Sequence, residues 1–296
     1  MAPQSPSEQA GPEIEITRTV AGLRDCVRRW RSAGESVGLV PTMGALHEGH
    51  LALVREVRAR CDRAVVSIFV NPSQFGAAED LDSYPRDEAD DTDQLARLGV
   101  DLVFAPPLEE IYGPGFSTSV SVGGVTERLC GAFRPGHFEG VATVVTKLLL
   151  QCLPDIAAFG EKDYQQLQCI RRLVRDLDIP VEIVAVATVR DQDGMALSSR
   201  NANLSAADRQ TALSLSRVLG EIAETLAREP GAVAAALADG MKTLEAAGFE
   251  SIDYLEVCDA ESLEPVAAVE RPARVLAAAQ VGGTRLIDNL PIPAPD

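Results

Sequence analysis

Two of the chain's three histidines, His47 and His50, stand three residues apart around Gly49 in the run PTMGALHEGH, residues 41–50. An apolar strand signal at 37–40 precedes this run, and an amphipathic helix signal at 51–60 follows it. A strand, a glycine-bearing turn and a helix start make an anion site, because amide N–H groups and the positive end of the helix dipole point into the turn. Two imidazoles there would meet a phosphate. The same tetrapeptide also suits histidines that merely cap or pack a helix start. Zinc fits less well: H-E-x-x-H sets its two ligands a full turn apart, and His47 and His50 are one residue too close. The third histidine, His137, lies far along the chain, and no cysteine pair has C-x-x-C spacing.

Two further clusters bear on phosphate chemistry. Gly160-Glu161-Lys162-Asp163 follows a strand signal and opens a helix, offering N-terminal amides and a lysine point charge, although a capped helix with surface charges reads the same way. Ser198-Ser199-Arg200 supplies two hydroxyls and a guanidinium, all suited to phosphate oxygens, next to the glycine-hinged run Asp191-Gln192-Asp193-Gly194. Alone it is an ordinary solvated loop. Together the three describe a triphosphate clamp that needs no Walker lysine loop.

These residues must be positioned by elements, and the apolar periodicity supplies them. Short β-rich runs at 37–40, 64–70, 102–105, 156–159 and 181–187 alternate with helical runs at 49–61, 87–98, 141–153 and 162–177. Such alternation predicts an α/β, Rossmann-like parallel sheet over residues 15–188, with ligands beyond the carboxyl ends of its strands. The HxGH turn, Asn71-Pro72-Ser73-Gln74-Phe75 and the GEKD run all fall at those ends. After residue 188 come two helices, 206–228 and 232–247, and three strands, 252–257, 273–279 and 284–289, read as a smaller α+β lid domain spanning 189–296. The polar run 189–203 joins the two domains, and the glycine-rich stretch 113–133, with its Ser-Thr-Ser-Val-Ser-Val alternation, is read as a small hairpin beside the site.

Composition bounds the rest. The 296 residues, 46% hydrophobic and without an apolar run long enough to span a bilayer, describe a soluble globular chain with no membrane partner. Residues 1–14 read as a disordered tail without the basic start or apolar centre of a signal peptide. Six scattered cysteines suit a reduced, cytoplasmic setting. A formal net charge of −17 opposes nucleic acid as a partner, so an anion must be held by a local pocket.

PTMGALHEGH, FVNPSQF, RPGHFEGV, FGEKDYQQL and the loop ending in SSRN occur in this order, and together they resemble the pantothenate synthetases, AMP-forming pantoate–β-alanine ligases of the HxGH nucleotidyl-transferase group. The resemblance runs from about residue 37 to 289. It implies a two-step reaction with ATP, (R)-pantoate and β-alanine, through a pantoyl adenylate, with Mg²⁺ accompanying the nucleotide and a homodimer built through the N-terminal domain. By the same resemblance, Met43, Gly44, Ala45, Leu46, His47, Glu48, Gly49 and His50 match the ATP-binding turn, His50 matching the histidine described as proton donor. A carboxylate nucleophile has no proton to remove, so His50 reads better as a stabiliser of α-phosphate charge, with His47 and Lys162 beside it in the chemistry. Gly160, Glu161, Lys162, Asp163, Val189, Leu197, Ser198, Ser199 and Arg200 match further ATP contacts. Gln74 and Gln166 match the pantoate-binding glutamines, with Gln74 also facing β-alanine; amides suit hydroxyls that need donors and acceptors together. Asp90 or Asp91 matches the acidic position associated with Mg²⁺, though acidic residues here also suit a helix N-terminus. Leu197 departs from the family, which has Met directly before the two serines; the change conserves volume.

Two other readings share part of this pattern. One is a different HxGH nucleotidyl transferase, including a synthetase fragment charging tRNA, which the acidity disfavours. The other is a nucleotide sensor that has lost catalysis, which would be expected to lack one of His47, His50, Lys162, Ser198, Ser199 or Arg200.

Overall fold

The computed structural model describes residues 14–76, 81 and 86–295, so all but the last residue of the expected tail lies outside it. Six parallel strands form the first sheet: β1 (Glu15–Thr17), β2 (Val37–Thr42), β3 (Arg63–Ile68), β4 (Leu102–Phe104), β5 (Ile156–Gly160) and β6 (Glu182–Val186). Their order is β1-β4-β3-β2-β5-β6. The chain builds outward from β2 through β3 to β4, then returns to lay β5 against the other side of β2. Loops leaving β2 and β5 therefore diverge, and this switch point is where an open parallel sheet leaves a crevice.

Alternation along the strands assigns side chains to two faces. Leu39, Val65 and Phe159 join one core, with Leu23 and Val27 of α1 (Val20–Ser32), Leu149 of α6 (His137–Cys152) and Leu167 and Ile170 of α7 (Tyr164–Asp176). Val40, Val66 and Ala158 face the other core, with Leu53 and Val57 of α2 (Glu48–Arg60) and Leu95 of α3 (Glu88–Arg97). Burial on both faces explains why these strands read as continuous apolar runs.

The second unit packs α8 (Ala206–Arg228) and α9 (Val233–Ala247) on an antiparallel sheet of β7 (Ser251–Asp259), β8 (Ala273–Val281) and β9 (Thr284–Ile292), ordered β7-β8-β9. Its core is separate, centred on Val218, Leu219, Val257 and Val275. The α/β plus α+β architecture thus agrees with the sequence reading.

Two details differ from it. The stretch 113–133 is not a hairpin: it runs as turns ending in a short helix, α5 (Cys130–Phe133), following the single turn α4 (Leu108–Ile111). Val120 N–H donates to the Thr143 hydroxyl at 2.9 Å instead of to a neighbouring strand, and Gln165 pins the segment by donating to Val125 and Arg128 carbonyls and accepting from Cys130 N–H. The connector at 189–203 is more ordered than a plain polar run. Arg190 and Ala196 bridge across it, and the Arg209 guanidinium holds Asp191 and Asp193 at 2.7 Å each.

Candidate active site

The HxGH run leaves β2 and starts α2, and its two histidines cap the helix start while facing a cavity. His47 is the N-cap: its Nδ1 accepts from Gly49 N–H at 3.1 Å, and His50 Nδ1 accepts from the His47 N–H at 3.3 Å. A ring nitrogen that accepts from an amide carries no proton, so each neutral imidazole bears its proton on Nε2. Capping thus uses one nitrogen and leaves the other as a donor. The rings lie 4.1 Å apart between centroids, and both line a cavity of about 230 Å³.

Removal from water, reinforced by His47 and opposed in part by Asp163, pushes the His50 pKa from its ordinary 6.5 to about 3; His47 is lowered by the same loss of hydration and by Lys162. His50 is therefore a neutral hydrogen-bond donor at physiological pH and too weak a base to accept a proton usefully. In the ligand-free protein its ¹⁵N resonances should show the Nε2–H tautomer down to pH 5, and a titration midpoint near 6.5 would refute this. Because the unfolded imidazole takes up a proton below 6.5 and the folded one does not, this residue's contribution to stability is lost as pH falls from 6.5 towards 3.

The turn's amides are not the open donors the sequence suggested. Asp91, buried on α3, accepts from Ala45 N–H at 2.9 Å and Leu46 N–H at 2.7 Å, while Gly44 N–H donates to the Thr42 hydroxyl at 3.2 Å. Gly44 has φ +81°, and a Cβ there would stand 2.9 Å from Asp91 Oδ2, so the turn requires glycine for both reasons. At this turn an anion must therefore rely on side chains.

The same contacts bear on Mg²⁺. Both oxygens of Asp91 hold the turn, and Asp90 Oδ2 accepts from Gln94 Nε2 at 2.7 Å. Among the described residues no three His, Cys, Asp or Glu side chains converge as a metal site. These aspartates do not fit a protein-held Mg²⁺: Asp91 braces the turn, and Asp90 pairs within its own helix.

Side chains from four other segments complete the cavity. Lys162 and Asp163 come from the turn after β5, with Nζ 3.8 Å from Asp163 Oδ2, and Ser198, Ser199 and Arg200 come from the connector. Asp163 keeps a lowered pKa because Lys162 and Arg200 outweigh its desolvation. Val189 and Leu197 line the cavity as well, joined by a backbone hydrogen bond of 3.0 Å. Met43, Gly49, Gly160, Gln74 and Gln166 are also on its walls. Gly44, Ala45, Leu46, Glu48 and Glu161 are not. Glu48 pairs with Arg55, and Glu161 accepts from Arg274 of β8 at 2.7 Å, tying the GEKD turn to the second domain.

Gln74 ends a 3-10 turn, Pro72–Gln74, and is held on three sides. Asn71 Nδ2 donates to its Oε1 at 3.0 Å, its Nε2 donates to Met43 Sδ at 3.1 Å, and its carbonyl accepts from His137 Nδ1 at 2.8 Å. Buried Asn71 also accepts from the Tyr112 and Ser73 hydroxyls and donates to the Gly140 carbonyl. Asn71, Arg134 and His137 went unassigned by sequence reasoning, although FVNPSQF and RPGHFEGV contain them; their partners lie across the fold. Helix α6 approaches this turn so closely that a Cβ at Gly140 would lie 2.3 Å from the Ser73 carbonyl oxygen and 2.7 Å from Gln74 N. Gly140→Ala should cost about 1–3 kcal/mol of stability through overpacking and displace Gln74. Unchanged thermal unfolding together with unchanged pantoate KM would contradict it.

Known proteins share this sequence and fold over nearly its whole length. The pantoate–β-alanine ligase family model matches residues 15–291. The pantothenate synthetase of Chelativorans sp. is 56% identical over 95% of this chain and 99% of its own length, and that of Rhizorhabdus wittichii 59% over 95% and 100%. The crystal structure of the Thermus thermophilus pantothenate synthetase superposes with a TM-score of 0.89 at 49% identity, covering 95% of this chain and all of that one. The Francisella tularensis pantoate–β-alanine ligase, solved in complex with β-γ ATP and β-alanine, gives 0.78 at 32%, covering 94% and 97%. With the family model spanning nearly the whole fold and these relatives matching both domains, the chain belongs to the pantoate–β-alanine ligase family.

Proposed function

We propose that this chain joins (R)-pantoate to β-alanine, converting ATP to AMP and pyrophosphate through pantoyl adenylate at the β2/β5 crevice. The observation that carries this reading is the meeting, on one cavity, of the HxGH histidines, Lys162, the Ser198–Arg200 cluster and the two glutamines. ATP enters as its Mg²⁺ complex, the ion travelling with the phosphates.

In the first step a pantoate carboxylate oxygen forms a bond to the α-phosphorus, and the bond from phosphorus to the β-bridging oxygen breaks, its electron pair leaving with pyrophosphate. Nε2–H donors of His47 and His50 meet the crowded α-phosphate oxygens, and Lys162 and Arg200 meet charge on the departing group. Gln74 and Gln166 hold pantoate's hydroxyls. In the second step the neutral amine of β-alanine adds to the acyl carbon, the bond to the AMP oxygen breaks, and the nitrogen's surplus proton goes to water. This step rests on proximity and on AMP as a good leaving group.

Product analysis tests the reading. ATP, pantoate and β-alanine should give pantothenate, AMP and pyrophosphate in equal amounts, and ADP with phosphate would overturn it. Gln74→Ala and Gln166→Ala should raise the pantoate KM about 5- to 150-fold, the equivalent of 1–3 kcal/mol for an orphaned hydroxyl, while sparing ATP binding. The free cysteines support a cytoplasmic setting. Half-exposed Leu150 and Leu153 at the end of α6 support a homodimer through the N-terminal domain, to be checked by sedimentation.

A further inference from the structure

A separate groove of about 330 Å³ runs between α7 of the first domain and the turn that follows β7 of the second. It shares only Tyr164 with the cavities of the crevice. Its α7 side is one helical stripe: Tyr164, Gln168, Arg171, Arg172 and Arg175 stand at i, i+4, i+7, i+8 and i+11. Ala260 and Glu261 lie opposite, and the Tyr164 hydroxyl joins the two sides by donating to the Ala260 carbonyl at 2.8 Å. The reaction derived above uses none of these side chains.

The charge of this groove runs against that of the chain, whose formal net charge is −17. Arginines elsewhere, such as Arg63, Arg190 and Arg209, are neutralised by carboxylates. Here only Arg175 is, by Asp176 at 3.0 Å and by Glu261 at 4.0 Å. The Arg171 and Arg172 side chains have no ion pair or hydrogen bond among the described residues. Arg171 and Arg175 are also like charges at i,i+4, a destabilising arrangement that an anion between them relieves.

A second observation is independent of charge. Gln168, one turn before the arginine pair, is 6% exposed, and its side-chain amide has no hydrogen-bond partner among the described residues. Buried polar groups are nearly always satisfied, and this amide borders the groove, so its partner comes from there.

Together these features describe the ligand. Two uncompensated guanidiniums match a dianion, and their forked N–H donors suit the oxygens of a phosphate group. A lone carboxylate would leave one of the two charges unbalanced. The groove has the size of a small-molecule site and exceeds what a bare phosphate fills, which leaves space for a compact organic body beside Tyr164 and Ala260.

We propose that this groove is a binding site for a dianionic phosphate group, held by Arg171 and Arg172 and by the Gln168 amide. The inference concerns binding alone and stands apart from the ligase reading. Its occupant touches both domains and reaches Tyr164, the residue that directly follows Lys162 and Asp163 in the chain.

The experiment is titration of the ¹⁵N-labelled full chain with inorganic phosphate, at an ionic strength held constant with sodium chloride. The Gln168 side-chain amide and the Arg171 and Arg172 Nε–H groups should shift saturably, and acetate should bind at least tenfold more weakly. Glycerol 3-phosphate distinguishes the source: tighter binding than inorganic phosphate identifies a phosphomonoester, and equal binding identifies free phosphate. The double variant Arg171→Gln, Arg172→Gln should lose at least tenfold of the phosphate affinity, while its unfolding midpoint without phosphate is no lower than that of the parent protein, since a like-charge contact has been removed. Shifts that acetate reproduces at equal concentration overturn the proposal, as do shifts that survive in the double variant. Shifts confined to Lys162 and Ser198–Arg200, which report the nucleotide cavity, overturn it on the parent protein alone.

Discussion

Lys162→Ala should slow formation of pantoyl adenylate by about 10²–10³-fold, the loss of about 2.7–4 kcal/mol expected when one preorganised charge donor is removed from a transition state. Lys162 is mostly buried, its main chain is held by the Asn289 amide, and it lines the same cavity as His47 and His50. In the proposed reaction its ammonium meets the departing pyrophosphate, and its burial leaves little of that effect for water to recover. Lys162→Arg should restore little, since a longer planar fork cannot reproduce a compact point charge in that space. Single-turnover kinetics with the half-reactions isolated give the decisive measurement. If Lys162→Ala slows capture of preformed pantoyl adenylate by β-alanine as much as it slows adenylation, the lysine serves the acyl centre or the fold.

The second large effect is expected at Asp91. Asp91→Ala leaves the Ala45 and Leu46 amides without their acceptor beneath the HxGH turn, and an unpaired buried donor costs about 1–3 kcal/mol, so two cost about 2–6 kcal/mol. Asn at this position offers only one acceptor oxygen and turns its amide N–H groups towards a backbone donor, so it should rescue only partly. Both variants should unfold at lower denaturant and adenylate slowly, because the histidines are aimed by this turn. The alternative role has an opposite signature: if Asp91→Ala unfolds like the parent protein and regains activity as Mg²⁺ is raised, the carboxylate is a metal contact and not a brace.

Much of this architecture was legible because burial imposes period. The five strands β2 to β6 and the three strands of the second sheet were anticipated, as were α2, α3, α7, α8 and α9, with ends shifted by a few residues. Strand β1 was not, being three residues long and paired on one side only, with β4. Helix α1 was overlooked although Leu23, Cys26 and Val27 carry a helical spacing among its charges. The hairpin reading of 113–133 failed because Val120 and Val122 do pack inward, but the backbone partners are side chains, which alternation cannot report. At the site, residue types were readable and hydrogen-bond partners were not. Nothing local to PTMGALHEGH shows that Asp91 occupies its amides, and nothing local to GEKD shows that Glu161 faces Arg274.

That last pairing governs what can be exchanged between relatives. Arg274, 4% exposed and stacked 3.7 Å over the Tyr164 ring, holds Glu161, while Asn289 grips the Glu161 and Lys162 carbonyls, one on either side of the lysine's Cα. The GEKD turn is therefore moulded by strands from a separately cored unit. A chimera joining this first domain to a foreign second domain inherits the donor's Lys162 position along with its sheet, so the two halves must be inherited together.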